Sequence, residues 1–162
     1  MKKEVKRGLK KNWKVLIFCL LIVYIFAFLG SLFTSSVVNS SWYSSVRSSL
    51  TPPNWVFPVV WNILFFLISL SLFYAWTSGK KESRKKIAIV FGINLSLNAL
   101  WSLLFFSLKK PNFAFFELIL LWISILLMIF TTRKIDKKSA WLLVPYLLWV
   151  SFAGILNYLS AF

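Results

Sequence analysis

Residues 107–139 read SLKKPNFAFFELILLWISILLMIFTTRKIDKKS, and this stretch decides the fold class. Between Phe113 and Phe130 the only ionisable side chain is Glu117. Lys109 and Lys110 precede the run, and Arg133, Lys134, Lys137 and Lys138 follow it. A transmembrane helix needs roughly 20 mainly apolar residues, and this segment supplies them between two basic brackets. Four further windows pass the same test, near 15–33, 55–76, 87–106 and 140–162. The connecting stretches are a long loop at 34–54, a basic loop at 77–86, a short one at 107–112 and a basic one at 131–139. No room is left for a soluble domain.

Composition agrees. The chain has 162 residues, 59% hydrophobic and 19% aromatic, with mean hydropathy +0.77. Soluble domains average roughly 45–50% apolar residues, and a chain of this size has no core large enough to hide the surplus. Lipid is the natural second solvent. The expected fold is therefore an all-α integral membrane protein: a basic N-terminus over 1–14, then one five-helix membrane domain over 15–162. The apolar run after the basic N-terminus is longer than the core of a cleaved leader, so an uncleaved first helix is expected.

The net charge of +15 fits this reading better than a nucleic-acid partner, because the charges sit in short runs between apolar segments. Segments 1–14, 77–86 and 131–139 carry seven, five and four basic residues, against Arg47, Lys109 and Lys110 elsewhere. For five crossings this alternates correctly. The richer side is expected to be cytoplasmic, which puts the N-terminus inside and the C-terminus outside.

The first loop ends in Thr51-Pro52-Pro53-Asn54-Trp55, and two successive prolines hold that entry extended. Trp42, Tyr43 and Trp55 suit either the headgroup level or a lid over a pocket. Within the helices, Asn94, Asn98 and Trp101 share one face. They read either as interhelical hydrogen bonding, worth about 0.6–2 kcal/mol per contact, or as a pocket wall of amides beside an aromatic plane. The fifth segment spaces Pro145, Trp149, Ala153 and Asn157 four apart, with a kink expected at Pro145. In the second segment Trp61 and Phe65 form the informative pair. Glu117 either reaches the interface and Lys109 or Lys110, or points into the bundle. Cys19 stands alone and the chain has no His, which removes conventional zinc and haem-iron sites. No phosphate-binding glycine loop or Ser–His pair is visible.

Four stretches then converge: Trp42-Tyr43; Thr51-Pro52-Pro53-Asn54-Trp55-Val56-Phe57-Pro58-Val59-Val60-Trp61; Asn94, Asn98 and Trp101 with Phe105-Phe106; and Val144-Pro145-Tyr146-Leu147-Leu148-Trp149 with Leu156-Asn157-Tyr158. In order and spacing the chain resembles the translocator protein family, also called tryptophan-rich sensory proteins or peripheral-type benzodiazepine receptors. The resemblance implies a five-helix bundle, commonly a homodimer, with a ligand cavity beneath the first loop. It implies a membrane receptor or sensor that binds porphyrins (protoporphyrin or haem) and other hydrophobic molecules, with no obligatory cofactor. Transport of such ligands, light-dependent porphyrin degradation through Trp61 and Trp149, and lipid or small-molecule transport are alternatives. Carried over by position, the ligand-binding residues are Trp42, Tyr43, Pro52, Trp61, Phe65, Asn94, Asn98, Trp101, Glu117, Trp149 and Ala153. A prokaryotic cell membrane is the expected location. Two features depart from the family pattern: Leu50 stands where a lid tryptophan is usual, and no basic residue follows Tyr158, so dedicated cholesterol recognition is not expected. Gly92 and Ser96 form a small-xxx-small pair that would allow close helix approach in a dimer.

Overall fold

The computed structural model describes residues 12–162; most of the basic N-terminal segment lies outside them. The described chain is all-α. Helix α1 spans Trp13–Ser35, the short α2 spans Ser41–Val46, and α3 spans Val56–Ser78. Helix α4 covers Lys81–Ser102 and runs on as a π-helical turn, Leu103–Ser107. Helix α5 spans Pro111–Arg133, α6 spans Lys137–Leu142 and α7 spans Val144–Ala161. Five helical stretches are long and apolar enough to cross a membrane, with α6 and α7 together forming the fifth.

The exterior carries the apolar side chains that a soluble protein would bury. Phe18, Phe28, Phe66, Phe113, Phe116, Leu120 and Phe130 are all largely exposed. The core is itself apolar, from Cys19 and Val23 through Ile68 and Phe91 to Ile125 and Met128. A chain apolar on both faces of its helices is built for lipid.

The spans form a ring in the order one, two, five, four, three. Helix α1 packs on α3 and α4, α5 packs on α4 and α7, and α6 fits between α3 and α5. Both ends of the bundle are identifiable from side-chain contacts. At one end Ser78 Oγ donates to Asp136 Oδ2 (3.0 Å) and Arg84 lies over the Trp76 ring, which brings the two basic connections together. At the other end, the lid end, Ser107 Oγ donates to the Phe33 carbonyl (3.3 Å) and Asn157 Nδ2 donates to the Pro111 carbonyl (2.9 Å).

Three local features differ from the sequence reading. The third span starts at Lys81, well before 87, because Lys, Glu and Arg are good helix formers and carry the helix beyond the apolar window. Only Gly79 and Lys80 then link α3 to α4. The first loop contains α2, whose N-cap Ser40 side chain accepts from the Tyr43 N–H (3.2 Å). In the fifth span the interruption falls at Leu143, a single turn residue: α6 ends at Leu142, and Pro145 occupies the first turn of α7, where a missing N–H costs little.

The packing of the second and fifth spans changes on either side of Leu143. They are pinned at the basic end, where Ser71 and Ser139 bond reciprocally: Ser71 Oγ donates to the Ser139 carbonyl (2.9 Å) and Ser139 Oγ to the Ser71 carbonyl (2.7 Å). Helix α3 packs closely along α6 but touches α7 at few points, so the two spans part toward the lid end. Ser139→Ala should remove one arm of this clasp and cost about 0.6–2 kcal/mol, read as a lowered melting temperature in detergent.

Candidate functional site

Where α3 and α7 part, aromatic side chains bridge them. Trp61 stacks on Phe65 (centroids 5.3 Å, interplanar 27°) and meets Tyr146 edge-on at 6.2 Å. Phe57 meets Trp149 edge-on at 5.9 Å. Phe65 and Tyr146 are buried, whereas Trp61, Trp149 and Ala153 are partly exposed. Helical periodicity alone accounts for this wall: Phe57, Trp61 and Phe65 are four apart on α3, as are Trp149 and Ala153 on α7.

Helix α4 supplies the polar side, already hydrogen-bonded. Asn98 Nδ2 donates to Tyr146 Oη (3.3 Å), Tyr146 Oη donates to Asn94 Oδ1 (3.3 Å), and Asn94 Nδ2 donates to Ser124 Oγ (2.7 Å). Ser124 Oγ passes the chain on to the Leu121 carbonyl (2.6 Å). The amides thus join three spans, as the interhelical reading of Asn94 and Asn98 anticipates. Tyr146 is the hub, and it is fully buried. A tyrosine inside an apolar span demands a partner for its hydroxyl, which is the sequence signal that points to it.

The remaining predicted residues lie nearer the lid. Trp101 stacks on Phe105 (5.3 Å, 28°), and its Nε1 donates to Asn157 Oδ1 (2.9 Å). The short helix α2 packs on the same cluster: Trp42 meets Phe105 edge-on at 6.1 Å and Tyr43 packs on Phe106 at 5.6 Å. Lys109 Nζ sits over the Trp42 ring at 5.7 Å. Tyr43 is buried there, and burial pushes its phenol above the ordinary value, partly offset by Arg47. The π-helical turn that presents Phe105 and Phe106 was not visible in the sequence. It closes with Leu108 N–H to the Leu103 carbonyl (2.9 Å) and ends at Lys109, whose φ of 53° is left-handed. Such turns are frequent at functional sites. Pro52 is half-buried in the link from lid to α3, and Asn54 Nδ2 ties that link to the Val38 carbonyl (3.3 Å). Leu50 is largely exposed.

Glu117 is buried and forms no hydrogen bond; both its oxygens lack a partner, as does Trp149 Nε1. The alternative in which Glu117 reaches the interface or a lysine does not hold. Lys109 and Lys110 are exposed, with their ammonium groups over Trp42 and Phe113. A separate hollow of about 440 Å³ lies elsewhere, in a groove between α5 and α7 lined by Phe115, Trp122, Gly154 and Tyr158 among others. None of the predicted binding residues lines it.

The molecule is thus a small five-span membrane protein with a short helix between its first two spans, an aromatic wall between the second and fifth, and paired asparagines on the third. The profile of the TspO/MBR family matches residues 18–161, and the chain belongs to that family. It is similar to the tryptophan-rich protein TspO of Chlorobaculum tepidum, at 37% identity over 93% of this chain and 96% of the relative. Similarity to the protein of the same name from Archaeoglobus fulgidus is 41% over 88% of this chain and 92% of the relative. The tryptophan-rich sensory protein of Cereibacter sphaeroides is 30% identical, over 72% and 73% respectively. The protein is therefore a membrane protein of this family.

Proposed function

We propose that the chain is a membrane sensor that binds a tetrapyrrole such as protoporphyrin between α3, α4 and α7, beneath α2. One observation carries the reading. The second and fifth spans are clasped at Ser71 and Ser139, separate beyond Leu143, and meet across the gap through Trp61, Tyr146, Phe57 and Trp149. Indole and phenyl faces favour offset stacking on a flat π-system, worth about 0.5–1.5 kcal/mol per ring beyond area burial. The wet mouth beside α2 offers Arg47 and Lys109 to carboxylates. The name of the Cereibacter sphaeroides relative supports the sensory role.

The test is a protoporphyrin titration of the protein in lipid nanodiscs, followed by visible absorbance. Saturation at one porphyrin per chain is expected. Linear uptake indistinguishable from empty nanodiscs would reject the proposal.

The same proposal places the protein in a prokaryotic cell membrane with its basic end inward. Ser45→Cys on α2 should then react with a membrane-impermeant maleimide in intact cells, and Ser83→Cys only after permeabilisation; the reverse pattern would invert the topology. A homodimer through α4 is part of the proposal, supported by the open stripe of Ile89, Gly92, Ile93 and Ser96. A Cβ at Gly92 would meet nothing within 4 Å, and Ile89, Ile93 and Ser96 are exposed.

A further inference from the structure

Among the buried side-chain atoms of the described residues, the two Glu117 oxygens, Trp149 Nε1 and Asn54 Oδ1 lack partners; Asn54 still bonds through its Nδ2, whereas Glu117 makes no bond at all. Asn94, Asn98, Tyr146, Ser124, Trp101 and Asn157 all have partners. A carboxyl group in hydrocarbon with no hydrogen bond is among the costliest arrangements a membrane protein can hold. Its position follows from the bonded pairs. Asn94 and Ser124 meet across α4 and α5. Seven residues toward the lid from each lie Trp101 and Glu117, so these two share a level about 10 Å nearer α2. Leu118 presses on α7 at Gly154, where an added Cβ would lie 3.2 Å from Leu118 Cδ2, which puts Ala153 at that level too. Trp149 is one turn from Ala153 on the same helix.

Glu117 therefore lies on α5 at the level of Ala153, the smallest side chain of the predicted site, with neither carboxyl oxygen matched. The nearest cations do not approach it, since Lys109 and Lys110 are spread over Trp42 and Phe113. We infer that Glu117 sets the charge class of the ligand: the site takes a flat apolar molecule that presents a nitrogen-bound hydrogen, most strongly an ammonium, at the level of Trp101 and Ala153, and rejects an anionic group there. Trp149 Nε1 offers the complementary donor to an acceptor on the same molecule. The inference rests on the reading of this space as the ligand site, though not on the ligand being a tetrapyrrole. It places the propionates of a porphyrin at the α2 mouth and away from Glu117.

The test uses two flat probes of one ring system, 1-pyrenemethylammonium and 1-pyrenecarboxylate. They are titrated into nanodisc-embedded protein and read by energy transfer from tryptophan to pyrene. The wild-type protein should bind the ammonium probe about tenfold more tightly than the carboxylate. Glu117→Gln, which keeps the shape and cannot become a carboxylate opposite the ammonium, should bring the ratio to within about twofold, and Glu117→Asp should retain the preference. An unchanged ratio in Glu117→Gln, or no saturable binding of the ammonium probe to wild type, would overturn the inference. Protoporphyrin titrated into the same samples separates the two claims. Failure of porphyrin alone removes the tetrapyrrole reading, and failure of the Glu117 dependence alone removes this one.

Discussion

Tyr146→Ala is expected to destabilise the protein by about 3–5 kcal/mol, the largest single effect the structure implies. The side chain is fully buried, packs edge-on against Trp61, and exchanges hydrogen bonds with both Asn98 and Asn94. Its removal leaves a void among three spans and strips two amide groups of a partner where no water replaces it. Tyr146→Phe isolates the polar part. That substitution keeps the ring, loses the hydroxyl, and should cost about 0.6–2 kcal/mol. Equilibrium unfolding in mixed micelles, with helicity as the signal, measures both. If the two variants lose equal stability, hydroxyl bonding and not ring packing holds the three spans together at Tyr146.

The second large effect concerns binding. Trp61 lies on α3 and Trp149 on α7, each with an aromatic neighbour against its ring, Phe65 for Trp61 and Phe57 for Trp149. Losing one indole face should weaken protoporphyrin by about tenfold, and losing both by about a hundredfold. Trp141→Ala is the control. That ring is largely exposed on α6, in the half of the span where α3 and the fifth span pack closely. Its loss should leave affinity unchanged. If Trp141→Ala weakens binding as much as Trp61→Ala, the porphyrin is partitioning onto exposed tryptophans and not entering a site.

The five spans were legible because hydrocarbon imposes a simple demand: some twenty apolar residues per crossing. The ends of the helices were less so. Lys81 to Lys86 belong to α4 although hydropathy assigns them to a loop, since charged residues are good helix formers once clear of the lipid core. Ser40 announces α2 as an N-cap, but six residues of helix between Ser and Arg give almost no periodic signal. The π-helical turn at Leu103–Ser107 inserts an extra residue that no spacing rule reveals, and it turns Phe105 and Phe106 toward Trp42 and Tyr43.

The site was legible as a set of residues and not as a set of relations. Spacing put Asn94, Asn98 and Trp101 on one face, but could not say that Tyr146 and Asn157 would take up their hydrogen-bonding capacity. Those partners lie about fifty residues downstream, on a different span. Glu117 was visible as an oddity. That it would be buried without a partner depends on where Lys109 and Lys110 go, and a left-handed Lys109 is not written in its neighbours.

A structure of the protein with protoporphyrin bound decides where the ligand sits. The macrocycle is expected between Trp61 and Trp149, bounded by α4 at Trp101 and covered by α2. A macrocycle lying instead in the outer groove between α5 and α7, against Phe115, Trp122 and Tyr158, would contradict that placement.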